Sequence, residues 1–71
     1  MKTQRICAGY YSFEYKGFTG TISHTNEIPE YNVWFFEYTD LNGKFHKAEG
    51  VHSTKKVAVE AATEWIDYLS N

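Results

Sequence analysis

An α+β fold is predicted: an antiparallel sheet of four strands in two hairpins, with one C-terminal helix packed on one face (ββββα). Three observations predict it. Only residues 53–69, STKKVAVEAATEWIDYL, carry apolar side chains at helical spacing. The chain before them alternates aromatic and polar residues at strand spacing. Two glycine-bearing turns, Lys16-Gly17 and Asp40-Leu41-Asn42-Gly43, divide that alternation into hairpins.

The first hairpin is expected within residues 4–24. Tyr11, Phe13 and Tyr15 alternate with Ser12, Glu14 and Lys16, and beyond the turn Phe18 and Ile22 alternate with Thr19, Thr21 and Ser23. A two-residue Lys16-Gly17 turn sets Tyr15 opposite Phe18, Phe13 opposite Gly20 and Tyr11 opposite Ile22, so both apolar sets share one face. Gly20 leaves room for the Phe13 ring to lie across the backbone. Residues 24–30, HTNEIPE, hold the only proline and read as a surface connection between the hairpins, the least ordered stretch expected.

Residues 31–40, YNVWFFEYTD, follow as a strand with Trp34, Phe36 and Tyr38 on one face and Tyr31, Val33 and Phe35 on the other. The fragments FEYKGF and FEYTDLNGKF are alike around their turns. The likeness reads as hairpin grammar; if the two hairpins are equivalent, Phe36 and Tyr38 lie on the face of Phe13 and Tyr15, and Trp34, Phe36 and Tyr38 are the helix-facing set, the sequence alone leaving open which face of this strand meets the helix. Asp40 and Gly43 fit a type I turn closed by a left-handed glycine. Residues 44–51 are then the fourth strand, with Glu37 facing Lys47 and Phe36 near Ala48.

In the helix, Val57, Tyr68, Ala61, Trp65, Ala58, Leu69, Ala62 and Ile66 fall within about half the circumference at ~100° per residue, opposite Glu60, Thr63, Glu64 and Asp67. Trp65 lies mid-arc among alanines and is expected to be the main core anchor. Ser53 is the expected N-cap, with Lys56 where a capping box would place Glu. Lys55 and Lys56 at the start and Glu60, Glu64 and Asp67 further on run against the helix dipole, an effect smaller than packing.

Seventy-one residues form a single domain, 1–71, near the lower size limit for a core without a staple. Cys7 is solitary, so no internal disulfide forms, and no paired metal-ligand spacing occurs; no metal or cofactor is expected. The opening MKTQRICAGYY contains no long apolar run, so neither a signal peptide nor a membrane span is expected and the cytoplasm is the expected location. A formal charge of −2 argues against a broad charge-driven nucleic-acid surface. Aromatic residues make up 18% of the chain, more than one helix on one sheet face readily buries.

No glycine-rich phosphate loop, paired-cysteine site, serine elbow or HExxH is present. His24, His46 and His52 match no metal spacing, Cys7 has no neighbouring base in sequence, and nothing selects among Glu14, Glu37 and Glu49 as catalytic carboxylates. No catalytic residue is assigned and the chain is expected not to be an enzyme.

Residues 50–62, GVHSTKKVAVEAA, resemble the end of a double-stranded-RNA-binding domain, where a strand gives way to a lysine-rich helix start followed by alanines. The match covers about a fifth of the chain. It implies phosphate contacts for Lys55 and Lys56. The third basic position of the motif is Val59 here, and the family's leading helix has no counterpart in residues 1–24. The same stretch is also similar to the small HicB-like antitoxin fold.

A single helix covers one sheet face at most, so the other face is expected to carry an apolar patch of Tyr10, Tyr31, Val33 and Phe35. The function this implies is a non-enzymatic protein-interaction or regulatory domain, its partner a protein or a second copy of itself. The alternative is an RNA-binding module using Lys55 and Lys56 on phosphates and exposed aromatics on bases.

Overall fold

The computed structural model describes residues 1–25, 33–47 and 50–71. It shows an α+β fold with one antiparallel sheet and one C-terminal helix. The sheet has five strands, not the four expected: β1 (Thr3–Cys7), β2 (Tyr10–Tyr15), β3 (Phe18–Thr25), β4 (Val33–Thr39) and β5 (Phe45–Lys47). They lie in chain order, each paired with its sequence neighbours, so the two expected hairpins are halves of one continuous meander. The added strand, TQRIC, pairs with β2 from Thr3↔Phe13 to Cys7↔Tyr10, with a bulge between Arg5 and Cys7. It is an edge strand with no apolar alternation, and only Thr3 of its five residues is even partly buried.

The β2–β3 register is the expected one, with Tyr11↔Ile22, Phe13↔Gly20 and Tyr15↔Phe18. Lys16 (φ 51°) and Gly17 (φ 84°) both take left-handed conformations, the requirement of a type I′ turn matched to strand twist. A Cβ on Gly20 would stand 2.5 Å from the Phe13 ring, so the ring does lie on the glycine backbone. The β3–β4 pairing then aligns Ile22 with Phe36 and Gly20 with Tyr38, and β5 adds Tyr38↔His46 and Glu37↔Lys47. Gly43 is left-handed (φ 80°), and its N–H donates to Asp40 O at 3.0 Å, closing the second turn as expected. Tyr31 and Ala48, along with residues 26–30 of the expected connection, lie outside the described residues. Past β5 the chain returns to β4, where Trp34 and His52 exchange two backbone hydrogen bonds of 2.7 Å.

The helix α1 (Lys55–Ser70) begins one residue later than expected. Its N-cap is Thr54, whose Oγ1 accepts from Val57 N–H at 3.1 Å, not Ser53. His52 is still held in extended pairing with β4, so Ser53 is used to turn the chain out of the sheet. The face α1 buries is the line Ala58, Ala62, Ile66, each 0% exposed, against Phe13, Phe18, Ile22, Phe36 and Tyr38. Trp65 is therefore not the core anchor: it is 44% exposed, set about 60° around the helix from that line. The physical reason is twofold. The sheet already supplies large side chains beneath the helix, so the alanines let α1 settle too close for an indole to fit under it. The indole N–H also requires an acceptor, which it finds at the rim, where Trp65 Nε1 donates to Tyr38 OH at 2.8 Å.

Ile66→Ala should thus destabilise the domain by about 2–5 kcal/mol. Trp65→Ala, losing partial packing and one hydrogen bond, should cost only about 1–2 kcal/mol. Urea denaturation of the two variants gives the ranking, and the reverse order would return Trp65 to the core.

Candidate functional site

Alternation along the meander assigns every strand side chain to one of two faces. On the face away from α1, Cys7, Tyr10, Ser23 and Phe35 form one cross-strand row; Ser12, Thr21, Glu37 and Lys47 form the next; Glu14, Thr19, Thr39 and Phe45 form the third. Val33, opposite Thr25, extends it at one end. Of the expected interface residues, the structure brings together Tyr10, Val33 and Phe35; Tyr31 lies outside the described residues. Tyr10 is 39% exposed, while Val33 and Phe35 are half-buried.

The patch is narrower than the sequence reading implied. Ser12, Ser23, Thr19, Thr21 and Thr39 put hydroxyl side chains through the middle of the face, a pattern visible in TGTISHT once its strand phase is known. Within it Ser23 is only 9% exposed, between Tyr10 and Phe35 of its own row, and Val51 and Gly50 border the same shallow depression. Val51, 62% exposed, borders the depression, and Phe45, 61% exposed, lies on the same face two rows away at the β5 edge; sequence reasoning assigned neither. Phe45 was legible in principle, because Glu37↔Lys47 pairing fixes its phase two residues earlier.

The lysines at the start of α1 do not act as a pair. Lys55 folds back onto the sheet, its Nζ 3.9 Å from the Tyr11 ring centroid, whereas Lys56 is exposed. Adjacent helical residues project about 100° apart, so one lysine adheres to an aromatic face and the other meets solvent.

The three histidines are likewise separated by packing. His24 lies against Trp34 (centroids 5.1 Å), His52 stacks near Phe36 (6.0 Å), and His46 stacks on Tyr38 (4.8 Å, 11° between planes). His46 Nε2 meets Asp40 Oδ2 at 2.7 Å, and the Asp40 carboxylate also accepts from the Lys44 and Asn42 N–H groups. That imidazole, followed by the turn amides, holds the Asp40 carboxyl below its ordinary range. Among the described residues no three His, Cys, Asp or Glu side chains cluster to hold a metal, and no helix is long and apolar enough to cross a membrane.

A second concavity of ≈ 490 Å³ lies on the helix side, where α1 leaves the β4–β5 edge open. Phe36 and Tyr38 form its floor, His46 and His52 one wall beside the strand edge at Lys47, whose side chain belongs to the other face, and Ala61 and Trp65 the opposite wall. On the opposite flank the gap is closed: Tyr15 OH donates to Asp67 Oδ1 at 2.9 Å, and Lys16 Nζ lies 2.7 Å from the same oxygen.

No protein-family model matches the chain, and neither the curated proteins nor the solved structures yield a match.

The Asp67 carboxyl is held below its ordinary range by Lys16 first and Tyr15 second. A carboxyl depressed in the folded state stabilises above its unfolded value, near pH ~4, and that stabilisation is lost as pH falls through the folded value. Urea midpoints of the wild type and Asp67→Asn should therefore differ at neutral pH and converge in acid. A gap independent of pH would mean the carboxylate charge is not involved.

Proposed function

We propose that this chain is a non-enzymatic protein-interaction domain of the cytoplasm whose working surface is the sheet face opposite α1, with Tyr10, Val33 and Phe35 making the contact. The observation that carries the reading is Ser23. It is nearly buried on a face that no element of the described chain covers, because Tyr10 and Phe35 stand on either side of it. Two aromatic rings flanking a polar floor, with Val51 beside them and Glu37 and Lys47 in the adjoining row, have the apolar-centre, polar-rim layout of a protein interface. Tyr and Phe give such a surface large contact area at low rotamer cost. The exposed Cys7 thiol at the edge of the same face is compatible with a reducing compartment. RNA binding through a lysine pair is the weaker reading, since Lys55 is occupied by Tyr11.

Phe35→Glu should leave the fold intact, because Phe35 points away from the core, and should weaken partner binding by about a hundredfold or more. Partner capture followed by calorimetry with the purified partner measures this. Retention of wild-type affinity by Phe35→Glu would refute the surface. RNA affinity with a steep salt slope, flattened by Lys56→Ala, would replace the proposal.

A further inference from the structure

The open sheet face is laid out evenly about its middle strand. In one row Tyr10 of β2 and Phe35 of β4 stand one strand to either side of Ser23. In the next row Ser12 and Glu37 flank Thr21, and in the third Glu14 and Thr39 flank Thr19. Between Thr19 and Ser23, β3 thus gives this face small hydroxyl side chains alone, while rings and carboxylates stand on the strands beside it. Gln4 of β1 and Lys47 of β5 close the two ends of the middle row. Among the described residues neither Glu14 nor Glu37 has an ion-pair partner.

We propose that the occupant of this face is a second copy of the chain, the two sheets packing face to face about a two-fold axis that runs along β3. The proposal rests on the reading of the open face as a protein interface and names its partner.

Rotation about β3 exchanges β2 with β4 and β1 with β5. Tyr10 is then laid over Phe35 of the other copy, and Phe35 over its Tyr10, so an aromatic pair forms on each side of the axis. On the axis Thr19, Thr21 and Ser23 meet their own counterparts, and their small size lets the sheets close until the rings touch. The same rotation sets the Ser12 hydroxyl against the Glu37 carboxylate and the Thr39 hydroxyl against that of Glu14, a donor for each unpaired acceptor. Lys47 comes over Gln4, whose amide oxygen accepts. No like charges are set opposite one another. This self-complementarity selects a second copy, because in an isologous interface every contact occurs twice.

Sheets packed in this aligned way cross at about 30°, which over the ~7 Å from the middle row to an outer one displaces the row by ~4 Å. That is less than one strand spacing, so the pairing survives the twist. The face measures about 20 Å across its strands and about 20 Å along them, on the order of 400 Å² per copy in projection, against about 800 Å² per partner in a standard interface. The contact is therefore small and the dimer reversible, with a dissociation constant on the order of tens to hundreds of micromolar.

Sedimentation equilibrium of the full chain from about 1 µM to about 1 mM tests the proposal, under reducing conditions so that exposed Cys7 thiols do not link copies. The wild type should dimerise. Phe35→Glu and Tyr10→Glu, each entering the interface twice, should each raise the dissociation constant about a hundredfold or more with an unchanged circular-dichroism spectrum. Ser12→Glu, which sets carboxylate against carboxylate, should weaken the dimer about tenfold, and adding Glu37→Ser should restore it because the rotation again pairs hydroxyl with carboxylate. Tyr68→Glu, at a position 71% exposed on α1, should leave the dimer unchanged. A folded wild type that stays monomeric at about 1 mM overturns the proposal, and so does a dimer indifferent to Phe35→Glu or abolished by Tyr68→Glu. Failure of the paired Ser12→Glu and Glu37→Ser exchange to restore association overturns the axis along β3. A monomer that captures a different protein, and loses it in Phe35→Glu, would overturn the second copy as occupant while upholding the face as an interface.

Discussion

The close seating of α1 on the sheet is the constraint from which the rest of the structure follows. Ala58 and Ala62 contribute almost no side chain to the contact, so the bulk of the core must come from below, from Phe13, Phe18, Ile22, Phe36 and Tyr38. A helix held this close leaves no room for large residues beneath it except Ile66. Trp65 is displaced to the rim, and its indole bond to Tyr38 fixes the rotation of the helix about its own axis. Sheet side chains provide volume while helix side chains provide smoothness. That division is sensible for a chain of 71 residues, in which few positions are spare.

The ends of this contact are pinned by polar groups at the turns. Asp67, late in α1, holds both Tyr15 and Lys16 at the β2–β3 turn, while Asp40 and His46 tie the β4–β5 turn to the ring of Tyr38. The Asp67 carboxylate joins α1 to the β2–β3 turn, whereas Asp40 binds the amides of its own turn and His46 of β5. The two clusters are exposed enough to be screened, so their effect is orientation more than raw stability.

Much of this was legible in the sequence, for identifiable reasons. Lys16-Gly17 fixes a two-residue turn, and from it the pairs Tyr15↔Phe18, Phe13↔Gly20 and Tyr11↔Ile22 follow by counting. Asp40 and Gly43 fixed the second turn in the same way. What could not be read was whatever leaves no periodic signal. TQRIC forms an edge strand stabilised by backbone pairing alone, so its side chains carry no alternation to detect. Periodicity in α1 revealed a wide apolar arc but not which half met the sheet, and the middle of the arc, Trp65, was the natural and mistaken choice. The open face showed its aromatic members, Tyr10 and Phe35, more readily than the serines and threonines between them, because hydroxyl residues look the same in a strand and in a loop.

The unbroken chain order of the sheet, β1 to β5 with no crossover, also governs how the molecule is assembled. Every ladder joins strands adjacent in sequence, so each can zip outward from its own turn without a long loop closure, and the loop-entropy barrier that slows most β-rich domains is small. The long-range step is the arrival of α1, whose Ala58, Ala62 and Ile66 must find rings laid down some tens of residues earlier. A meander formed first and sealed last by its helix exposes Phe18, Ile22 and Phe36 only until that final docking.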